Sequence, residues 1–270
     1  MYKHFIAVDW SQSNMAIARQ TNASNEIKTM DIPTNLSNLK DYLKTIKGRK
    51  ILTFEETTTA QWLYSELRRY VDEILVCDPY RNKLLSEGAK TDIIDAKKLV
   101  RLLKADLLKP VYHSGEKLLK LRQLVSSYND LVQRGVRLKN QKSAVLRAQG
   151  KTKKCKGEGE IEEFVLGGID RAISSYEEEK QAYEKRFKKA VSQSTTLRRL
   201  KGIPGIGLIG AIKIGAIVVT VERFSHTNNY LSYCGLVRLD RISGGQSYGT
   251  KIPRHRKELK SVFKTAALSA

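Results

Sequence analysis

Four acids are spaced as a metal site would need them. In Lys90-Thr91-Asp92-Ile93-Ile94-Asp95-Ala96, two carboxylates stand three residues apart. On a helix that spacing puts both on one face. Asp9 closes the β-rich run Phe5-Ile6-Ala7-Val8-Asp9, and Glu55 closes Ile51-Leu52-Thr53-Phe54-Glu55. Acids at strand ends plus a helical pair are the oxygen donors that a hard divalent ion such as Mg²⁺ takes. Such ions can activate an attacking oxygen and stabilise a leaving one in phosphoryl transfer. Each acid also has an ordinary use. Asp92 could cap a helix, and Asp9 could serve a turn before Ser11. Glu56 competes with Glu55, and spacing does not separate them.

A second constellation is Arg241-Ile242-Ser243-Gly244-Gly245-Gln246-Ser247. Paired glycines leave room for a phosphodiester to approach the Ser243 hydroxyl. No Ser–His–Asp order accompanies it, so a Ser243 nucleophile needs activation from elsewhere, such as a metal site on another domain or subunit. By itself, Ser243 reads as a loop serine.

The elements that must position these groups fall into three stretches, and the expected fold class is α/β plus α. Residues 1–110 alternate β-rich and amphipathic runs. Strands are expected at His4–Asp9, Met15–Ala18 and Glu26–Ile32. A helix follows at Leu36–Ile46, then a strand at Ile51–Glu55, a helix at Ala60–Tyr70, a strand at Glu73–Cys77 and a helix at Asp92–Leu108. That order describes a mixed sheet. Residues 111–196 carry a seam at three- and four-residue steps, through Leu121, Leu124, Tyr128, Leu131, Gly135 and Leu138. The seam resumes at Ile169, Ile173, Tyr176, Tyr183, Phe187 and Ala190. A Lys/Gly-rich break, Gly150–Gly159, separates the two, so an antiparallel coiled-coil hairpin is expected. Residues 197–270 read as a small helical domain.

The charge points to a polyanion. Lys plus Arg number 49 against 28 Asp plus Glu, a net charge of +21 over 270 residues. That excess favours nucleic acid over an acidic membrane surface. Between Leu131 and Lys156 lie nine Lys or Arg and no acid. With no compensating acid in that stretch, Arg134, Arg137, Lys139, Lys142 and Arg147 become candidate nucleic-acid contacts. A solvated basic face is the ordinary alternative. The turn Lys201-Gly202-Ile203-Pro204-Gly205-Ile206-Gly207 offers Lys201, Gly202, Gly205 and Gly207 as a phosphate cradle, or as plain punctuation between helices. The run through Lys251, Arg254, Arg256 and Lys257 adds basic candidates. Three scattered cysteines have neither zinc-ligand spacing nor a disulfide count. No signal or membrane-spanning pattern is present, and a reducing cytoplasmic setting is expected.

Taken together, these residues resemble the DEDD transposases of bacterial insertion sequences, a group that includes the Piv-type invertases and bridge-RNA-guided recombinases. Ala7-Val8-Asp9-Trp10-Ser11 resembles the opening of their RuvC-like domain. Phe54-Glu55-Glu56-Thr57 resembles their Glu-x-Thr element, which selects Glu55. Lys90–Ala96 resembles their Lys-Thr-Asp-x-x-Asp-Ala string. Gly202–Gly207 resembles their helix–hairpin–helix-like turn. Arg223-Phe224-Ser225, Tyr233-Cys234-Gly235-Leu236 and Ser243-Gly244 resemble their transposase domain. Arg238 and His255 depart from the family's usual Pro and Gly.

The resemblance implies a RuvC/RNase H-like sheet domain and DNA strand exchange through a phosphoserine intermediate at Ser243. It implies that Asp9, Glu55, Asp92 and Asp95 hold Mg²⁺. It also implies a homo-oligomer (dimer or tetramer) with sites shared between subunits, and a structured guide RNA beside the DNA. The alternatives are a RuvC-like metal-dependent nuclease, in which water attacks, and a truncated non-catalytic nucleic-acid-binding relative. Family members generally continue past the helix that begins near Leu259.

Overall fold

The structure, a computed structural model, describes residues 1–82, 91–113, 120–151 and 159–270. Lys90, which opens the acid-bearing string, lies outside the described residues, as does Cys155 with most of the Lys/Gly-rich break. The chain divides into two compact units, Met1–Gly115 and Glu116–Ala270.

The first unit is a five-stranded sheet ordered β3-β2-β1-β4-β5. Its strands are β1 (His4–Trp10), β2 (Asn14–Thr21), β3 (Ile27–Pro33), β4 (Lys50–Glu55) and β5 (Glu73–Cys77). β1, β2 and β3 pair antiparallel, whereas β4 joins β1 in parallel and β5 joins β4 in parallel. The mixed sheet expected from the element order is therefore present. Alternation along β1 sends its side chains to two cores. Ile6 and Val8 pack with Leu39 and Leu43 of α1 (Leu36–Thr45) and Leu63 and Leu67 of α2 (Ala60–Leu67). Ala7 faces the other way, with Ala16 and Ala18 of β2, against Ala96, Leu99 and Val100 of α4 (Asp92–Lys104). Three alanines on that face allow α4 to lie close to the sheet. A short α3 (Pro79–Asn82) follows β5.

α4 ends at Lys104, short of the expected Leu108. Asp106 takes φ 55 and Leu107 N donates back to the Leu102 carbonyl, a left-handed stop that ends the helix. α2 likewise stops at Leu67, three residues before Tyr70.

In the second unit, α5 (Lys120–Ala148) and α6 (Glu160–Gln193) run antiparallel. Their register is fixed by Tyr128 against Phe187 at 5.1 Å between ring centroids, and by Gly135 against Tyr176. α7 (Thr195–Lys201) and α8 (Leu208–Val218) then pack on the hairpin, with Leu197, Ile212 and Ala216 sharing a core with Val125, Tyr128 and Phe187. α9 (Thr227–Cys234) and α10 (Lys257–Ser269) close a second core around Ile206, Ile214, Cys234 and Leu259. Between them lies an unexpected feature in a part read as all helical, the hairpin β6 (Leu239–Ser243) and β7 (Gln246–Lys251). Gly244 (φ 56) and Gly245 (φ 79) form its two-residue turn, the positive-φ pair that a tight hairpin demands.

Candidate active site

The sheet presents two acids on one face at one edge. β1 and β4 are in register at Ala7↔Thr53, and two residues further on each strand lie Asp9 and Glu55. By the period of two, Asp9 shares the face of Ala7, and Glu55 shares the face of Ile51. Ala7 and Ile51 both pack in the core beneath α4. Both carboxylates therefore sit on the α4 side, at the C-terminal edge of the parallel strands.

α4 brings the other two to that edge. Lys104 Nζ donates to the carbonyls of Thr21 (3.0 Å) and Ser24 (2.9 Å), and Thr21 pairs with His4 at the start of β1. The C-terminus of α4 is thus anchored at the beginning of β1. Thirteen helical residues span about 20 Å, close to the length of a seven-residue strand. The N-terminus of α4 consequently lies at the Asp9 end. Thr91 caps it, accepting from Ile94 N at 3.3 Å, and Asp92 and Asp95 occupy its first turn. Arg101 and Lys104 occupy its last, so both acids and bases complement the helix dipole. Asp92 is exposed, and half-buried Asp95 lies 3.8 Å from Lys98.

The two neighbouring glutamates part company here. Glu56 accepts from His113 Nε2 at 2.5 Å, toward α2, on the opposite side of the sheet from α4. Asp78 stands one residue beyond β5 at the same edge. It accepts from Tyr80 N at 3.0 Å, which gives it a turn role.

All the donors are carboxylate oxygens, the set a hard divalent cation selects. In chemistry and in edge, Asp9, Glu55, Asp92 and Asp95 fit such an ion. Among the described residues, no three His, Cys, Asp or Glu side chains are gathered closely enough to hold one. The geometry brings the acids to one edge of the sheet without closing a coordination shell.

Ser243 belongs to the other unit. It is the last residue of β6, paired with Gln246, and is exposed like every residue of the hairpin. Lys251 ends β7, Arg254 follows, and Arg256 caps α10 while its Nε donates to Tyr233 Oη at 3.1 Å. His255 packs its ring where a Cβ on Gly235 would stand, 2.4 Å away. The missing side chain of Gly235 thereby accommodates the bulk of His255.

The glycine turn divides between two clefts. Gly205, Gly207 and Lys257 line one of about 660 Å³ with Lys213 and Glu258. Lys201 and Gly202 line another of about 480 Å³ with Lys188 and Arg198. Gly205 also has a packing reason: its φ is +76, and a Cβ there would stand 2.2 Å from the Ala266 carbonyl of α10. Burial holds the Lys213 amine below its ordinary range, and Glu258 pulls the other way.

The basic arm of α5 is less bare than its own sequence implies. Arg134 pairs with Glu179 at 2.7 Å, Lys139 with Glu177 at 2.6 Å and Lys142 with Asp170 at 2.5 Å. The expectation of uncompensated charge is corrected here, because the balancing acids stand on α6. Arg137 and Arg147 are exposed on α5, and Arg147 Nε donates to its own helix at Ser143.

A family model for transposases of the IS110 DEDD kind matches residues 6–149, more than half of the chain. A second, described as Transposase IS116/IS110/IS902 family, matches residues 197–270. The chain belongs to the IS110 family of DEDD transposases. It is an enzyme of DNA transposition, and its DEDD domain suggests a divalent metal cation. No curated protein shows a significant match to it. The first matched stretch of this transposase spans all four acids, and the second spans the exposed serine hairpin.

Proposed function

We propose that this transposase exchanges DNA strands with Ser243 as nucleophile and with Mg²⁺ held by Asp9, Glu55, Asp92 and Asp95. One observation carries the reading: two strand-end acids and the acidic first turn of α4 lie at one edge and on one face of the sheet. The order β3-β2-β1-β4-β5, with β2 alone running opposite to the other four strands, supports a RuvC-like assignment for this unit. Residues 111–196 serve as a coiled-coil hairpin with a basic arm, and 197–270 as the serine-bearing domain.

When bound, the cation supplies charge neutralisation for the scissile phosphate and lowers the cost of ionising the attacking hydroxyl. The chain's own groups do the rest. The carboxylates help to deprotonate Ser243, Ser243 Oγ bonds to phosphorus as the P–O3′ bond breaks, and the departing O3′ takes up the proton that Ser243 released. A free 3′-hydroxyl remains, together with a serine–DNA phosphodiester that keeps the energy needed for rejoining. The exposed tip of the β6–β7 turn suits this role, since a DNA backbone can reach it without rearrangement of the core. A homo-oligomer with sites shared between subunits, and a structured guide RNA beside the DNA, belong to this reading as what the family resemblance implies.

The test is a denaturing gel of this protein incubated with Mg²⁺, any co-purified RNA and labelled DNA carrying its element's ends. A protein–DNA adduct lost in Ser243→Ala supports the serine mechanism. Cleavage without an adduct, unchanged in Ser243→Ala, replaces it with a nuclease in which water attacks.

A further inference from the structure

The His113 side chain is only 2 % exposed, and the residue stands near the end of the first unit in sequence. The segment that carries it runs along the outer edge of β5. Lys109 accepts from Asp78 N at 3.1 Å, Val111 N donates to the Val76 carbonyl at 2.7 Å, and Pro110 bridges Cys77. This short edge pairing ends by setting the His113 ring against the β4–α2 connection. There Nε2 meets the Glu56 carboxylate at 2.5 Å, Nδ1 meets Gln61 Oε1 at 2.9 Å, and the Tyr64 ring lies tilted against it at 5.5 Å between centroids. A carboxylate only accepts, so Nε2 carries the proton it gives to Glu56.

Glu56 is the residue after Glu55. Its backbone N donates to the Cys77 carbonyl at 2.9 Å, which pins the end of β4 to β5. Its side chain is tied to His113 on the side away from α4. A carboxylate held that way fixes the backbone on which Glu55 is mounted, and it withholds a fifth acid from the metal-facing side. We propose that Glu56 and His113 form a positioning pair that sets Glu55 for divalent-metal binding. The proposal rests on the metal reading above. Groups that orient a metal ligand through hydrogen bonds typically change affinity about 10–100-fold when removed.

The experiment is Mn²⁺ titration of the purified full chain without DNA, followed by electron paramagnetic resonance, beside far-UV circular dichroism and thermal melts. Glu56→Ala and His113→Asn are expected to weaken Mn²⁺ binding about tenfold or more. Asn keeps a group at the Nδ1 position, facing Gln61. His113→Gln places a donor where Nε2 stood and is expected to restore most of the affinity, although Asn and Gln cost similar stability. Wild-type affinity in Glu56→Ala, or equal losses in the Asn and Gln variants that track their melting temperatures, overturns the pair as a positioning device. Asp9→Asn separates the two ideas. Mn²⁺ binding that survives it removes the acid site itself, and the positioning pair falls with it.

Discussion

Single residues in this transposase are constrained most where backbone meets backbone. Gly205 combines a left-handed φ with an approach to Ala266 that leaves no space for a methyl group. Gly205→Ala is therefore expected to cost at least about 1–3 kcal/mol from the backbone conformation alone. Chemical denaturation checks this, and an unchanged midpoint would mean that α10 can move away. His4 sets a pH dependence. Burial holds its pKa below the ordinary 6.5, assisted by Arg19, Lys3 and Lys50, and outweighs the hydrogen bond to the Lys47 carbonyl that raises it. The unfolded chain thus takes up a proton that the folded chain refuses. Stability present above about pH 6.5 is lost as the pH falls through and below that value. His4→Gln is expected to melt with less acid sensitivity than wild type between about pH 7 and 5. Equal slopes would mean that His4 protonates without penalty.

Among the elements, the α5–α6 hairpin separates packing from charge. A Cβ on Gly135 would stand 2.3 Å from the buried Tyr176 ring, so Gly135→Ala must drive that ring out of its place. Overpacking of this kind costs about 1–3 kcal/mol, whereas Lys139→Ala removes an exposed ion pair and is expected to leave the melting temperature almost unchanged. A larger loss for Lys139→Ala would make the surface ladder the source of the hairpin's order. Both helices were legible in the sequence because each buries a seam that repeats at helical spacing. Their charge pairing was not, since which acid faces Lys139 depends on the register between two arms far apart in sequence. The strands and the acids at their ends were legible for the same reason as the seam. The direction of α4 across the sheet was not, because it is settled by Lys104 reaching Thr21 and Ser24, a contact that no local pattern encodes. The β6–β7 hairpin escaped for a third reason. Both of its faces are exposed, so no alternation of apolar and polar residues marks it, and Gly244-Gly245 reads as open space as readily as a turn.

At the scale of the molecule, 49 basic against 28 acidic residues make any nucleic-acid complex strongly salt-dependent. The structure refines where on α5 that dependence should reside. Arg134, Lys139 and Lys142 already share their charge with Glu179, Glu177 and Asp170, so a phosphate must displace an acid before it gains the cation. Arg137 is exposed on the same helix, and no acid among the described residues forms an ion pair with it. If α5 is the contact surface, Arg137→Ala is expected to reduce the slope of log K against log salt by about one. Lys139→Ala is expected to change it less, because the freed Glu177 opposes a charge that was already half spent. Filter binding to DNA across a salt series measures both. Equal reductions would mean that the ion pairs open freely on contact. No reduction from either would move the nucleic-acid surface off α5 and onto the cationic stretch from Lys251 to Lys257.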